Sequence, residues 1–181
     1  MTRSVYYTAT TLDGYIADEH DSLDWLFVQE QDNDGPMNYG DFIKDIGAIA
    51  MGATTYAWIL DHMAAKDEKW AYDMPAFVFT HREFEAVDGA DVRFVSGAVA
   101  EAYDELAAAA GDRDVWVVGG GDLAGQFADA KLLDEVIVSI APVTLGAGRP
   151  LFPRQYDLKL TELAQNGAFA CARYAVVGAR G

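Results

Sequence analysis

Ala48–Met51, Ala76–Thr80, Val115–Val118 and Val136–Ile140 are short apolar runs in which no polar residue alternates with the apolar ones. A strand with one wet face alternates, so runs of this kind are strands covered on both faces. Between them lie helical stretches. Val99, Ala102, Tyr103, Leu106 and Ala110 share one side of a helix that Gly111 stops, and further helices read after Gly52 and after Gly121. Doubly covered strands alternating with helices predict an α/β fold with a largely parallel sheet, because a parallel pair needs a crossover and the crossover covers a face. Ser4–Ala9, rich in aromatic and β-branched residues, opens the chain as a strand before a tight Asp13-Gly14 turn, and Val92–Val95 is a short strand. The tail breaks the pattern: Leu158–Leu163 and Phe169–Val177 flank Asn166-Gly167 and predict an antiparallel hairpin. A short helix is expected over Tyr39–Ile46. The polar stretch Asp18–Gly40, with Trp25, Leu26 and Phe27 in its middle, is long enough to be a functional loop. The 181 residues carry no repeat, low-complexity tract or linker, which predicts a single domain over 1–181.

Charge narrows the partners. Lys and Arg total 13 against 29 Asp and Glu, a formal net charge of −16. Nucleic-acid binding draws most of its affinity from basic patches and is not expected. No apolar run reaches the roughly 20 residues of a membrane span, and the N-terminus lacks the pattern of a secretory signal, so a cytoplasmic protein away from membranes is expected. The single Cys171 excludes an internal disulfide and reads as a small buried hydrophobe, while His20, His62 and His81 are too scattered for a zinc motif. In so acidic a chain, a phosphate-bearing ligand needs a local anion site, which backbone N–H groups at helix starts can supply without net positive charge.

Two segments have that design. In Met51-Gly52-Ala53-Thr54-Thr55-Tyr56 and Val118-Gly119-Gly120-Gly121-Asp122-Leu123, an apolar strand ends in glycine and a helix begins at once. Ligands of open α/β sheets bind outside the carboxyl ends of the strands, and glycine lets the main chain come close. Thr54 and Thr55 offer hydroxyl donors, or cap their helix. The triple glycine serves equally as a tight strand–helix turn. Neither segment has the spacing of a Rossmann fingerprint or a P-loop. Asp122 beside a phosphate calls for a carboxylate turned back onto its own helix.

In order along the chain, Thr-Leu-Asp-Gly-Tyr-Ile-Ala (11–17), Ile-Ala-Met-Gly-Ala-Thr-Thr-Tyr (49–56), Trp-Val-Val-Gly-Gly-Gly (116–121) and Leu-Gly-Ala-Gly-Arg-Pro-Leu-Phe (145–152) resemble the dihydrofolate reductase superfamily, in its riboflavin-biosynthesis reductase branch of RibD C-terminal type. The resemblance spans about residues 3–178. It implies a three-layer, dihydrofolate reductase-like fold with a mostly parallel sheet and an antiparallel C-terminal hairpin. It also implies an NADPH-dependent reductase acting on a small heterocycle, a pterin or a ribosylaminopyrimidine, as the 5-amino-6-(5-phosphoribosylamino)uracil reductase does.

The same resemblance assigns roles. Ala9 and Ile16 would meet the nicotinamide carboxamide through their main chain. Gly52, Thr54 and Thr55 would hold phosphate, and Gly119, Gly120, Gly121, Asp122 and Leu123 would wrap the pyrophosphate, with a cis peptide at Gly119–Gly120. Thr80, His81 and Arg82, at the end of the third apolar strand, would meet the adenine ribose and its 2′-phosphate, or form an ordinary polar strand exit. The family commonly has a basic residue where this chain has Ala53, which leaves the 2′-phosphate to His81 and Arg82. Around the acceptor, Trp25 on the first loop, Ser139 and Asp41 are the catalytic candidates. Folate reductases carry a carboxylate on the wall helix where this chain has Asn38, with Asp41 the nearest acid, so the folate-type proton donor is absent or displaced. Asp41 as a solvated carboxylate, Trp25 as a loop anchor and Asp13 as a turn former are the structural alternatives. Trp58 and Trp70 read as packing or interface residues rather than ligand stackers. A homodimer through the C-terminal hairpin is implied by analogy, and a cofactor-binding protein without catalysis, a sensor or dimerising module, is the competing reading.

Overall fold

The computed structural model describes residues 1–181. β1 (Ser4–Thr11) and the three-residue β2 (Tyr15–Ala17) are followed by short helices α1 (Asp24–Phe27) and α2 (Tyr39–Phe42). Then come β3 (Ile46–Gly52), α3 (Ala53–Lys66), β4 (Ala76–Phe79), β5 (Val92–Val95), α4 (Val99–Ala110), β6 (Asp114–Gly119), α5 (Gly121–Asp129) and β7 (Glu135–Ala141). β8 (Arg149–Pro150), β9 (Tyr156–Asn166) and β10 (Phe169–Ala179) complete the chain. The main sheet has 8 strands in the order β5-β4-β3-β6-β1-β7-β10-β9, and β2 pairs with β8 in a small second sheet. All neighbours from β5 to β7 run parallel, and β10 runs antiparallel to both β7 and β9.

Both faces of the sheet are covered, as the absence of alternation requires. In β3, Ala48 and Ala50 point into a core closed by α4 and α5, where Tyr6, Phe77, Val117, Leu106 and Phe127 meet. Ile49 and Met51 point into the opposite core with Tyr56 of α3, Val78 and Trp116. A methyl on Gly47 would run into the carbonyl of Ala110, so glycine is what lets β3 lie against the end of α4. A third, smaller cluster joins Trp25, Ala141, Phe169 and Cys171 beneath the first long loop.

The helix expected over Tyr39–Ile46 is shorter. Asn38 caps it, its Oδ1 accepting from the Asp41 amide at 2.8 Å, but after Phe42 the chain tightens into one 3-10 turn, Ile43–Asp45, and enters β3 at Ile46. Gly40 and the β-branched Ile43 and Ile46 give this segment little intrinsic helicity. The tail hairpin forms with Asn166 opposite Phe169, and Gly167 takes φ +57° in its turn. No helix is long and apolar enough to cross a membrane.

Candidate active site

The carboxyl ends of β1, β3 and β6 lie side by side, and a cavity of about 630 Å³ opens above them. Its floor is main chain. β3 ends at Gly52, which is extended (φ −85°, ψ 171°) and starts α3 with no side-chain cap. The threonine cap expected here does not form. Thr54 and Thr55 occupy the first helical turn and line the cavity. Gly120 (φ −76°, ψ −173°) starts α5 in the same way, again with no side-chain cap. The first N–H groups of any helix lack intrahelical acceptors, so both starts present donors to the cavity.

The three consecutive glycines have separate roles. The Gly119–Gly120 peptide is cis, and Gly119 has φ +143°. A Cβ on Gly120 would meet only the Ile16 Cδ1 at 3.9 Å, so this residue is bare toward the cavity. A Cβ on Gly121 would strike the carbonyls of Pro150 and Leu151, so its hydrogen lets α5 dock against β8. Asp122 does not turn back onto its own amides. Its Oδ2 accepts from Gln126 Nε2 at 2.9 Å and its Oδ1 from Arg154 Nη2 at 3.0 Å. The Gln126 bond, then Arg154, hold its carboxyl below the usual carboxylate range. The charge that would oppose a phosphate is thus paired with a guanidinium of the β8–β9 segment.

The rim is built from β2 and β8, where Tyr15 faces Pro150 and Ala17 faces Arg149. Asp13 fastens this pair to the β7–β8 loop. Its carboxylate accepts from Thr11 Oγ1 at 2.6 Å, from the Gly146 amide at 2.7 Å and from the Leu145 amide at 3.1 Å. The Thr11 hydroxyl first, then those amides, lower its pKa. Across the rim Arg149 and Asp21 form a two-point ion pair, Nε to Oδ1 at 2.6 Å and Nη2 to Oδ2 at 3.1 Å.

Of the residues singled out in the sequence, Ala9, Ile16, Gly52, Thr54, Thr55, Gly119, Gly120, Gly121, Asp122 and Leu123 all line this cavity. Thr80, His81 and Arg82 do not. They leave β4 one strand beyond Gly52, with His81 and Arg82 exposed and the Arg82 guanidinium 4.8 Å from the centre of the Phe84 ring, in no ion pair.

The three catalytic candidates are also absent from the lining. Asp41 is solvated, 2.7 Å from Lys44 Nζ and bonded by Asn38 Nδ2, in a separate groove of about 490 Å³ at the amino ends of the strands. Ser139 is buried with its hydroxyl 3.5 Å from the Cys171 sulfur. Trp25 is buried in the third cluster and anchors α1 to the sheet. The folate-type wall is closed as well: Phe42 stacks on Tyr7 at 4.1 Å between centroids, and Asn38 is spent on its cap and the Gly35 carbonyl.

Sequence reading assigns no site role to Ile59, Tyr72, Leu23, Leu26 and Arg149 and takes Trp58 as packing; all six line the cavity. A signal for two of them was present. Trp58 and Ile59 fall four residues after Thr54 and Thr55, one turn along the same helix faces. Tyr72 had none, because it comes from an irregular segment; burial pushes its hydroxyl up to about 12.

Comparison with known proteins identifies this architecture. The family model of the RibD C-terminal domain matches residues 5–177. The chain belongs to that family. It is 31% identical over 151 residues to the uncharacterised Bacillus subtilis protein YwjB, covering 83% of this chain and 82% of that one. A solved Shewanella sp. PV-4 protein, named for riboflavin biosynthesis, superposes with a TM-score of 0.80 at 26% identity, over 97% of this chain and 99% of that one. The Thermotoga maritima diaminohydroxyphosphoribosylaminopyrimidine deaminase/5-amino-6-(5-phosphoribosylamino)uracil reductase shares the fold, with a TM-score of 0.69 at 17% identity, over 97% of this chain and 57% of that one. The three-layer, dihydrofolate reductase-like arrangement implied by the sequence is therefore the fold of this RibD C-terminal-type chain.

The Asp13 clamp gives a pH dependence with a definite sign. Its folded-state carboxyl titrates below that of an unfolded Asp, near 3.9, so its contribution is complete well above that value and is lost as pH falls through the folded one. Asp13→Asn should lower the urea midpoint at pH 7, and the gap to the unaltered protein should narrow at pH 3. A gap that widens on acidification would contradict the clamp.

Proposed function

We propose that this RibD C-terminal-type protein is an NADPH-dependent reductase of a small planar heterocycle. The observation that carries the reading is the pair of uncapped helix starts, Gly52–Thr55 and Gly120–Leu123, opening onto one cavity with a bare glycine between them. Main-chain donors can hold a diphosphate without adding net positive charge. In this reading Ala9 and Ile16 border the nicotinamide, and Arg82, exposed and unpaired beyond β4, is the group available to a 2′-phosphate in place of the basic residue missing at Ala53. When bound, NADPH would supply a hydride to a C=N or C=O carbon of the acceptor, with a proton from water going to the adjacent heteroatom. The acids that line the cavity, Asp21 and Asp122, are each held by an arginine, which favours a single admitted water over a carboxyl as the proton donor in this reading. The protein contributes position and the exclusion of bulk water.

Thermal shifts with NADPH, NADH and FAD test the reading. Saturating NADPH should raise stability by about 3 kcal/mol at a hundredfold excess over Kd. Gly120→Val, whose side chain would project beside Ile16 over the floor, should abolish the shift with little change in the unliganded melting temperature. Persistence of the shift in that variant would take the glycine turn out of the site. Arg82→Ala should weaken NADPH roughly tenfold, about 1.4 kcal/mol, and leave NADH unchanged; equal losses for both would remove Arg82 from the 2′-phosphate. A cofactor shift without NADPH oxidation across pterin and aminopyrimidine acceptors would favour the non-catalytic binder.

We further propose a homodimer through the C-terminal hairpin. β9 is an edge strand of 11 residues, and Leu158, Leu160 and Leu163 on it are 38%, 50% and 67% exposed. On a long edge strand with no partner in the chain on its outer side, these leucines offer an apolar stripe to a second copy, between the charges of Asp157, Lys159 and Glu162. Sedimentation should give twice the chain mass, and Leu160→Asp should give a folded monomer; a monomeric unaltered protein overturns the proposal.

A further inference from the structure

Beyond the two helix starts the character of the cavity changes. It continues along the second turn of α3 and under α1, where Leu23, Leu26, Trp58, Ile59 and Tyr72 form its wall. The Trp58 indole is braced: the His62 ring stacks on it at 4.7 Å and 15°, and Phe27 of α1 approaches it at 6.3 Å and 29°. A tryptophan fixed in this way offers a rigid plane to a flat ligand.

The charges in the lining are few and already used. They are Asp21, Asp122 and Arg149. Arg149 is bound at two points to Asp21, and Asp122 is bound to Arg154. No lysine and no unpaired arginine lines the cavity. A buried phosphate needs charge-assisted donors, supplied by a guanidinium, an ammonium or a cluster of main-chain N–H groups. The long helices α3 and α5 supply such clusters only at the cofactor end. At the acceptor end a phosphate would meet leucine, isoleucine and tryptophan, with the mutually neutralised Arg149–Asp21 pair on the rim, in a molecule of net charge −16.

We propose that the acceptor is a planar heterocycle carrying no phosphate, stacked on Trp58, and that its phosphoribosyl counterparts are excluded. The inference rests on the reductase reading and narrows its substrate class: this RibD C-terminal-type chain has the fold of a phosphoribosylaminouracil reductase, and the one cation in its cavity, Arg149, is paired with Asp21.

Matched pairs test it. Isothermal titration calorimetry, without cofactor, compares 5-amino-6-(ribosylamino)uracil with its 5′-phosphate, and neopterin with neopterin monophosphate. In at least one pair the unphosphorylated member should bind tenfold or more tightly than its phosphate ester. Trp58→Ala should weaken that binding tenfold or more and Trp58→Phe should restore most of it, which separates loss of the platform from loss of the fold. Ile59→Arg, which adds a cation to the wall, should narrow the preference or reverse it. Equal or tighter binding of the phosphorylated members overturns the proposal. So does an unchanged affinity in a folded Trp58→Ala variant, or no binding of either unphosphorylated ring at about 1 mM. The NADPH thermal shift is measured apart from these titrations, so failure of the cofactor reading and failure of the acceptor inference give different results.

Discussion

The cavity depends on the direction of one strand. β1 lies between β6 and β7 and runs parallel to both, with β3 beyond β6 in the same sense. Parallel strands deliver all their carboxyl ends to one edge of the sheet, and the helices that follow deliver their amino ends there too. The Gly52 and Gly120 helix starts meet because β3 and β6 are parallel neighbours, and Ala9 joins them because β1 runs the same way. Were β1 antiparallel, Ala9 would lie at the opposite end of the sheet from both starts.

Electrostatics reinforces the placement. The acid excess of this chain leaves little positive charge to spare, and the arginines near the cavity are spent on neighbouring carboxylates, Arg149 on Asp21 and Arg154 on Asp122 and Asp129. Fixed main-chain dipoles are therefore the donors left for an anion. They act within a turn of the helix start and weaken beyond it, so one continuous cavity has an end suited to charge and an end suited to apolar rings.

Much of this was legible in the residues. Doubly apolar runs gave away covered strands, since Ala48 and Ile49 serve different cores, and the two glycine-terminated strands marked the floor of the cavity. Legibility failed where a side chain's surroundings come from distant segments. Ser139 and Trp25 occupy apolar positions that the chain cannot distinguish from a cavity wall until Cys171 and Phe169 arrive from the last strand. Asp41 is fixed by Asn38 and Lys44 in the groove at the amino ends of the strands, a placement that local sequence does not carry. Trp58 packs on His62 and Phe27, as its reading as a packing residue expects, and its place in the cavity lining is the part the sequence did not show.

The seam at Gly121 couples distant parts of the molecule. Hydrogen is the only side chain that fits between α5 and the carbonyls of Pro150 and Leu151, and those residues continue into the rim that Asp13 ties to the first turn. Floor and rim therefore have almost no slack between them. An added methyl at that contact would be transmitted along β8 to Ile16 and Asp21, so the dimensions of the opening are set as much by the thickness of one main-chain contact as by the side chains that surround it.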